Sequence, residues 1–422
     1  MSPNAIFASD QRIGPADGTR PLIATQFNLH GHPQRQWGGQ FNANPRGAAV
    51  DEICIEARRE AATRTIELTR MPSAPRLVSL DVFRGITIAM MILVNNPGPS
   101  GDVYWPLEHA EWHGWTPTDM VFPFFLWICG LAMTLSFSRR QTLGADRIKL
   151  VLHAARRAAM IFGIGLLFNL FPKFDFAHVR IPGVLQRIAV CYFFATLIYL
   201  YTSRRGQMIV AAALLGVYSG IMLFLPFPGA MPDHWGMDSN AARYLDGILL
   251  EGHMWSKSKV WDPEGVLSTL PAIATMLFGV LASNYLRSGV ILTAAGLLLG
   301  WVLPINKSLW TPSFVLLMAG LASISFGLLH WWIDDKGNRA GWKFFEIFGT
   351  NSIVSYVLSG VAGRILSLTQ VQGVPTSQWL FQAVFLPLAS PPVASVLYAL
   401  AVVMTIFLVV YTLHVRRILV RL

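Results

Sequence analysis

Apolar runs of about 20 residues alternate with short polar stretches from residue 80 to residue 414. Ten runs stand out, at 80–96, 119–138, 150–171, 184–202, 207–225, 265–285, 287–303, 312–333, 343–366 and 392–414. Runs of this length suit helices that cross the ~30 Å hydrocarbon core of a bilayer. The pattern predicts an all-α fold, a polytopic membrane helix bundle of about 10 transmembrane helices with the lipid bilayer as its solvent. The stretch "TSQWLFQAVFLPLAS" (376–390) is short and carries a proline, and it reads as an interfacial or re-entrant piece.

Residues 1–70 break this pattern. They are polar, and "DEICIEARREAATRTIELTR" (51–70) reads as a short surface helix in otherwise disordered chain. No apolar region follows a basic start, so no signal peptide is expected. A second methionine, Met71, directly precedes "PSAPRLVSLDVFRG". The expectation is a disordered or spurious N-terminal extension over 1–70 and a membrane domain over 71–422.

Composition agrees. Hydrophobic residues make up 53% of the chain and charged residues 13%, against about a quarter charged in soluble domains. The net charge of +10 does not point to nucleic acid, because Lys and Arg concentrate in one alternate set of loops. That set contains 139–149, Arg204 and Arg205, Arg287, 334–343 and the C-terminal tail. The other set contains 97–118, 172–183, 226–264, 304–311 and 367–391. The positive-inside rule makes the first set cytoplasmic, with both termini inside. Of the three cysteines, Cys54 lies in the N-terminal tail and Cys129 and Cys191 in apolar runs. There is no CxxC and no metal-ligand spacing, so neither a structural disulfide nor a metal site is expected.

Ionisable residues inside apolar runs are costly and therefore candidates for function. Asp81 and Arg84, in "SLDVFRG", share a helix face and can pair; alternatively Asp81 caps the helix and Arg84 snorkels. Asn95 and Asn96 end the first run before Pro97, as helix-stop residues or as amide donors to a carbonyl oxygen. Gln186 and Arg187, in "RIPGVLQRIAV", lie one turn inside the fourth run. A carboxylate, a backbone carbonyl or an anionic ligand is the expected partner of such an arginine. Asp262 and Glu264 flank Pro263 at the start of the sixth run. They suit the helix dipole there, a pairing with Arg187, or contact with a polar substrate.

The loop after the first run, "YWPLEHAEWHGWTPTDMVFPFF" (104–125), holds two histidines, two glutamates and three tryptophans but no Lys or Arg. The rule above places it outside the cytoplasm. A histidine near neutral pKa is a natural general base, and His109 and His113 are the candidates. Trp105, Trp112 and Trp115 suit interfacial anchoring or stacking on a sugar face. Glu108 and Glu111 are solvated residues, or orient an imidazole or attract an ammonium group.

Five motifs in order carry a resemblance: "RLVSLDVFRGITIAMMILVNN", "EHAEWHGWTPTDMVFPFFLWICG", "RIPGVLQRIAVCYF", "WDPEGVLSTLPAI" and "LPINKSLWTPSFVL", joined by "FGTNSIVSYV". Over about residues 76–414 the chain closely resembles the heparan-α-glucosaminide N-acetyltransferase family, in particular its bacterial members, within the transmembrane acyltransferase superfamily. The resemblance implies a membrane acetyltransferase that takes acetyl from acetyl-CoA and passes it to the amine of an amino sugar across a bacterial inner membrane. It implies His109 as the active histidine and Asn95 as the asparagine at the end of the first motif helix. His113 falls where the animal enzyme carries asparagine, and the Asn95–His109 loop is slightly longer. The animal enzyme's extra N-terminal helix and luminal domain have no counterpart here, so heparan itself is not implied as acceptor.

The implied chemistry matches the residues. A histidine accepts the amine proton, Asn95 donates to the carbonyl oxygen, and arginine recognises CoA phosphates through its planar fork. The candidate catalytic residues are His109, Asn95 and Asp81. Arg84, Gln186 and Arg187 are candidates for acetyl-CoA, and Glu108, Trp112, Asp262 and Glu264 for the amino-sugar or glycan acceptor. A direct transfer and a covalent acetyl-histidine both fit. The alternatives are an O-acyltransferase of envelope polysaccharide and a sugar or glycolipid transporter. A homodimer is left open.

Overall fold

The computed structural model describes residues 77–229, 233–256, 258 and 260–418. The readings made for residues 1–70 and Met71 lie outside them. The described chain is helical: α1 (Val78–Asn95), α2 (Val121–Thr142), α3 (Arg147–Leu170), α4 (Val184–Tyr201), α5 (Arg204–Phe224), α6 (Ala241–Leu249), α7 (Thr269–Val280), α8 (Tyr285–Leu299), α9 (Pro312–His330), α10 (Lys343–Thr350), α11 (Ser352–Leu368), α12 (Thr376–Leu380) and α13 (Pro391–Val415). The described strands, β1 (Gln370–Val371) and β2 (Val374–Pro375), form one antiparallel hairpin.

Every predicted run holds a helix, but not every helix is a full span. Seven are long and apolar enough to cross a membrane, and α10 with α11 makes an eighth if their 85° bend is one broken span. The expected runs 265–285 and 287–303 shorten to α7, with 12 residues, and α8, with 15. At 1.5 Å per residue, α7 is about 18 Å long. Its predicted first turn, residues 265–268, is instead a hydrogen-bonded loop gripped by Arg187. Beyond its end, Asn284 takes a left-handed φ of 50° and turns the chain into α8. The run 343–366 breaks at buried Asn351. Among the described residues, then, seven or eight spans and two shorter apolar helices account for the ten expected runs, and ten full spans are not confirmed. At 376–390 the chain forms the short helix α12 and a π turn at Phe381–Phe385.

The core is aromatic where α1, α2, α7 and α9 meet. Trp127 and Phe326 are fully buried with ring centroids 5.6 Å apart, and Phe83 lies against both. Two glycines let α1 and α10 touch by backbone. A Cβ on Gly85 would overlap the Phe345 carbonyl, and one on Gly349 the Asp81 carbonyl.

Helix ends are capped across the bundle. The backbone N–H groups of Val78 and Ser79, at the start of α1, donate to the Asp334 carboxylate at 3.2 and 3.3 Å. Capping of α1 by Asp81 is thus corrected. Asp81 sits one turn inside and accepts from Arg84 at 3.2 Å. Arg364 of α11 donates to the Phe168 and Phe171 carbonyls at the end of α3, where a cation suits the helix dipole.

Contacts join loops within each of the two alternate sets. In the Lys/Arg-poor set, Gly114 reaches Ile305, Arg180 reaches Asp262, and Ile181 reaches His253. In the other set, Arg204 donates to the Leu281 carbonyl and the Ser283 hydroxyl.

Candidate active site

The histidine-bearing loop is a set of tight turns, not a helix, so His109 and His113 do not share a helix face. At Gly114 the chain takes φ +94°, a left-handed conformation that favours glycine. The Gly114 N–H donates to the Ile305 carbonyl at 2.7 Å, pinning this loop to the 304–311 loop. Thr116 then starts the 3₁₀ turn Pro117–Met120 with a reciprocal capping box. The Asp119 carboxylate accepts the Thr116 N–H at 3.0 Å, while the Thr116 side chain accepts from the Asp119 N–H.

This cap divides the labour within Asp119. Oδ2 serves the backbone, accepting from Thr116 and from Ala110 N–H at 3.1 Å. Oδ1 is left to face His109 Nδ1 at 2.7 Å and Lys307 Nζ at 3.1 Å. The Asp119 side chain is 1% exposed, whereas that of His109 is 52% exposed. Lys307 Nζ also lies 2.9 Å from His109 Nδ1.

Donor inventory assigns the tautomer. A carboxylate accepts only and an ammonium donates only. If Nδ1 accepted from Lys307, its 2.7 Å contact with Oδ1 would set two acceptors against each other. Nδ1 therefore carries the proton and donates to Asp119, Lys307 donates to the same oxygen, and Nε2 is left as the basic nitrogen on the exposed ring.

Lys307 is held by a rigid loop. Asn306 is fully buried; its side-chain oxygen accepts from Leu309 N–H at 2.9 Å and its N–H donates to Thr311 Oγ1 at 3.0 Å. Burial lowers the Lys307 pKa from its ordinary value, and Asp119 opposes that shift. His113 lies apart from the carboxylate, with Nδ1 3.4 Å from the Asn306 amide.

A second constellation borders the first. Arg180 donates from Nε and Nη2 to both oxygens of Asp262, at 2.8 and 2.6 Å, and from Nη2 to Glu264. Burial alone would lower the Arg180 pKa, but the two carboxylates outweigh it and hold the guanidinium charged. Of the alternatives open to Asp262 and Glu264, the pairing with Arg187 is corrected: Arg180 is the arginine that ion-pairs with both. Arg187, 2% exposed, donates to the carbonyls of Pro263 and Gly265 at 3.0 Å each and to Ser268 Oγ, and lies over the Trp310 ring. Asp246 braces the same turn through the N–H groups of Asp262 and Val266, and burial pushes its carboxyl up to about 6. Trp112 donates from Nε1 to the Trp235 carbonyl at 2.8 Å and packs edge-on against Trp261.

The other sequence candidates are placed as follows. Asn95 ends α1 in an exposed position, and Glu108 is exposed, with its carbonyl accepting from Thr116 Oγ1. The imidazole is oriented by Asp119, not by Glu108 or Glu111. Arg84 donates to Asp81 and to the Gly349 carbonyl, both at 3.2 Å, away from the histidine loop. Gln186 is buried and fills the space beside Gly165 and Gly183, with no hydrogen-bond partner for Nε2. Asp119, Lys307 and Arg180 were missed. The signal for Asp119 was the capping-box string "TPTD" before an apolar run. That for Lys307 was its place as the lone basic residue between 304 and 311.

Residues 76–232 match the family described as heparan-alpha-glucosaminide N-acetyltransferase, catalytic. The human heparan-alpha-glucosaminide N-acetyltransferase is 30% identical over 362 residues, covering 69% of this chain and 54% of the human protein. The mouse protein of the same name is 30% identical over 358 residues, covering 68% of this chain and 54% of its own length. The chain thus spans about half the length of these curated relatives.

Proposed function

As a member of the heparan-α-glucosaminide N-acetyltransferase-like family, this chain is, we propose, a membrane acyltransferase that moves acetyl from acetyl-CoA to the amine of an amino sugar. The observation that carries the reading is the His109–Asp119–Lys307 arrangement, with Nε2 free on a half-exposed ring. The attacking amine gives its proton to His109 Nε2. Asp119 holds the ring in the required tautomer and stabilises the imidazolium as it forms, and Lys307 anchors Asp119. As the amine adds to the thioester carbonyl, its oxygen becomes negative, and the Asn95 amide is the candidate donor. Collapse then expels the CoA thiolate. Glu108, Trp112, Asp262 and Glu264 border the acceptor side. Lys307 lies within electrostatic reach of Glu264, which links the two constellations. The Lys/Arg distribution supports an extracytoplasmic acceptor face and cytoplasmic termini. An exposed Nε2 is equally suited to carrying acetyl covalently before the amine attacks.

The test uses purified protein, acetyl-CoA, an amino-sugar panel and a thiol-release readout. Acceptor-dependent thiol release is expected, and His109→Ala should lower it about a hundred- to ten-thousand-fold with acetyl-CoA binding retained. Absence of release with every amino sugar, or full turnover by His109→Ala, would overturn the reading.

A further inference from the structure

Arg157 occupies an unusual place in the bundle. It lies ten residues inside the 24-residue helix α3, about 15 Å from its N-terminus. On α3 it borders the stripe of Ala154, Ala158 and Ile161, all buried. Its guanidinium lies over the Tyr192 ring of α4, 4.9 Å from the centroid. Its Nε is buried without a hydrogen-bond partner. Among the described residues no carboxylate, carbonyl or hydroxyl accepts from it.

An arginine at this depth is costly unless something answers its charge. Where the chain itself answers one, as for Arg187, it supplies carbonyls and a hydroxyl. At Arg157 the described residues supply a ring face, which leaves the N–H edge of the guanidinium to offer. Arg157 and Arg84, from different helices, both lie within electrostatic range of Cys129 on α2.

We infer that Arg157 forms an anion subsite within the bundle that takes a phosphate group of the acyl donor. This rests on the reading of acetyl-CoA as donor. The planar fork suits phosphate oxygens, and Tyr192 holds it in place without neutralising it.

The test is equilibrium binding to the full chain in neutral-lipid nanodiscs, with CoA, inorganic pyrophosphate and phosphate-free pantetheine as probes. Arg157→Gln should weaken CoA and pyrophosphate at least tenfold and leave pantetheine unchanged, with a ligand-free melting temperature no lower than wild type. Arg157→Lys, which keeps the charge but not the fork, should fall between. Wild-type affinity of Arg157→Gln for both phosphate ligands overturns the proposal, as does failure of the wild type to bind either. If Arg157→Gln does not fold, Arg157→Lys decides: undiminished CoA affinity overturns the subsite, weakened affinity supports it. Arg157-dependent binding of pyrophosphate without any binding of CoA upholds the subsite and overturns the donor reading instead.

Discussion

Arg187 in α4 and Arg157 in α3 are both arginines set among apolar helices, and the chain treats them differently. Arg187 lies near the loops that carry His109, and two carbonyls, a hydroxyl and the Trp310 ring surround it. Arg157 lies ten residues inside α3, and among the described residues the Tyr192 ring is its partner. The same contrast separates whole regions. At the loop-bearing end, Asp119, Lys307, Arg180, Asp262 and Glu264 answer one another's charge. A region so closed on itself is built to hold geometry, while the open charge in the middle is built to meet something else.

The largest effect is expected where the knot is cut. Arg187→Leu removes three hydrogen bonds from a charged donor, to the Pro263 and Gly265 carbonyls and to Ser268 Oγ, at about 1.5–3 kcal/mol each, although the Gly265 carbonyl keeps the Thr269 hydroxyl as a donor. The variant should lose about 3–5 kcal/mol of stability, seen as a large fall in melting temperature in detergent; unchanged melting would show that the knot does not hold the turn. A smaller effect is expected from Asp246. Its carboxyl is raised from 3.8 to about 6 by burial, so in the folded protein it stays protonated where the unfolded chain ionises. Its contribution is fully present below pH 3.8 and lost as pH rises to about 6. Wild type minus Asp246→Asn should therefore decline across that window, by on the order of 3 kcal/mol; a flat difference would contradict the burial argument. The smallest stability effect is expected from Arg157→Leu, which strands no acceptor. Its melting temperature should match or exceed wild type, and a fall like that of Arg187→Leu would erase the contrast.

Helix positions were legible because hydrophobic runs of membrane length have few alternatives. Helix ends were less so. The break at Asn351 and the late start of α7 depend on partners distant in sequence, such as Arg187 for residues 265–268. In the candidate site, the motif singled out His109. Asp119 stood in the same quoted stretch but reads as a cap, and it is one; only the fold reveals that its second oxygen faces the imidazole. Arg180 was hidden because its carboxylate partners lie 82 and 84 residues away. Arg157 follows Arg156 soon after the basic loop 139–149, so in sequence it looks like an extension of that loop. The depth and the missing partner that set it apart are properties of the packed bundle.

The central claim is that Asp119 acts on the chemistry through His109. A double-mutant cycle for acetyl transfer tests it directly, with Asp119→Asn, His109→Ala and the pair together, each checked for acetyl-CoA binding. Asp119→Asn keeps one oxygen for the Ala110 and Thr116 N–H groups and turns an NH2 donor toward His109 Nδ1, which disfavours the Nδ1–H tautomer, so turnover should fall at least a hundredfold with binding retained, and the double variant should be no slower than His109→Ala alone. Multiplicative losses in the double variant, or wild-type turnover by Asp119→Asn, would contradict the account.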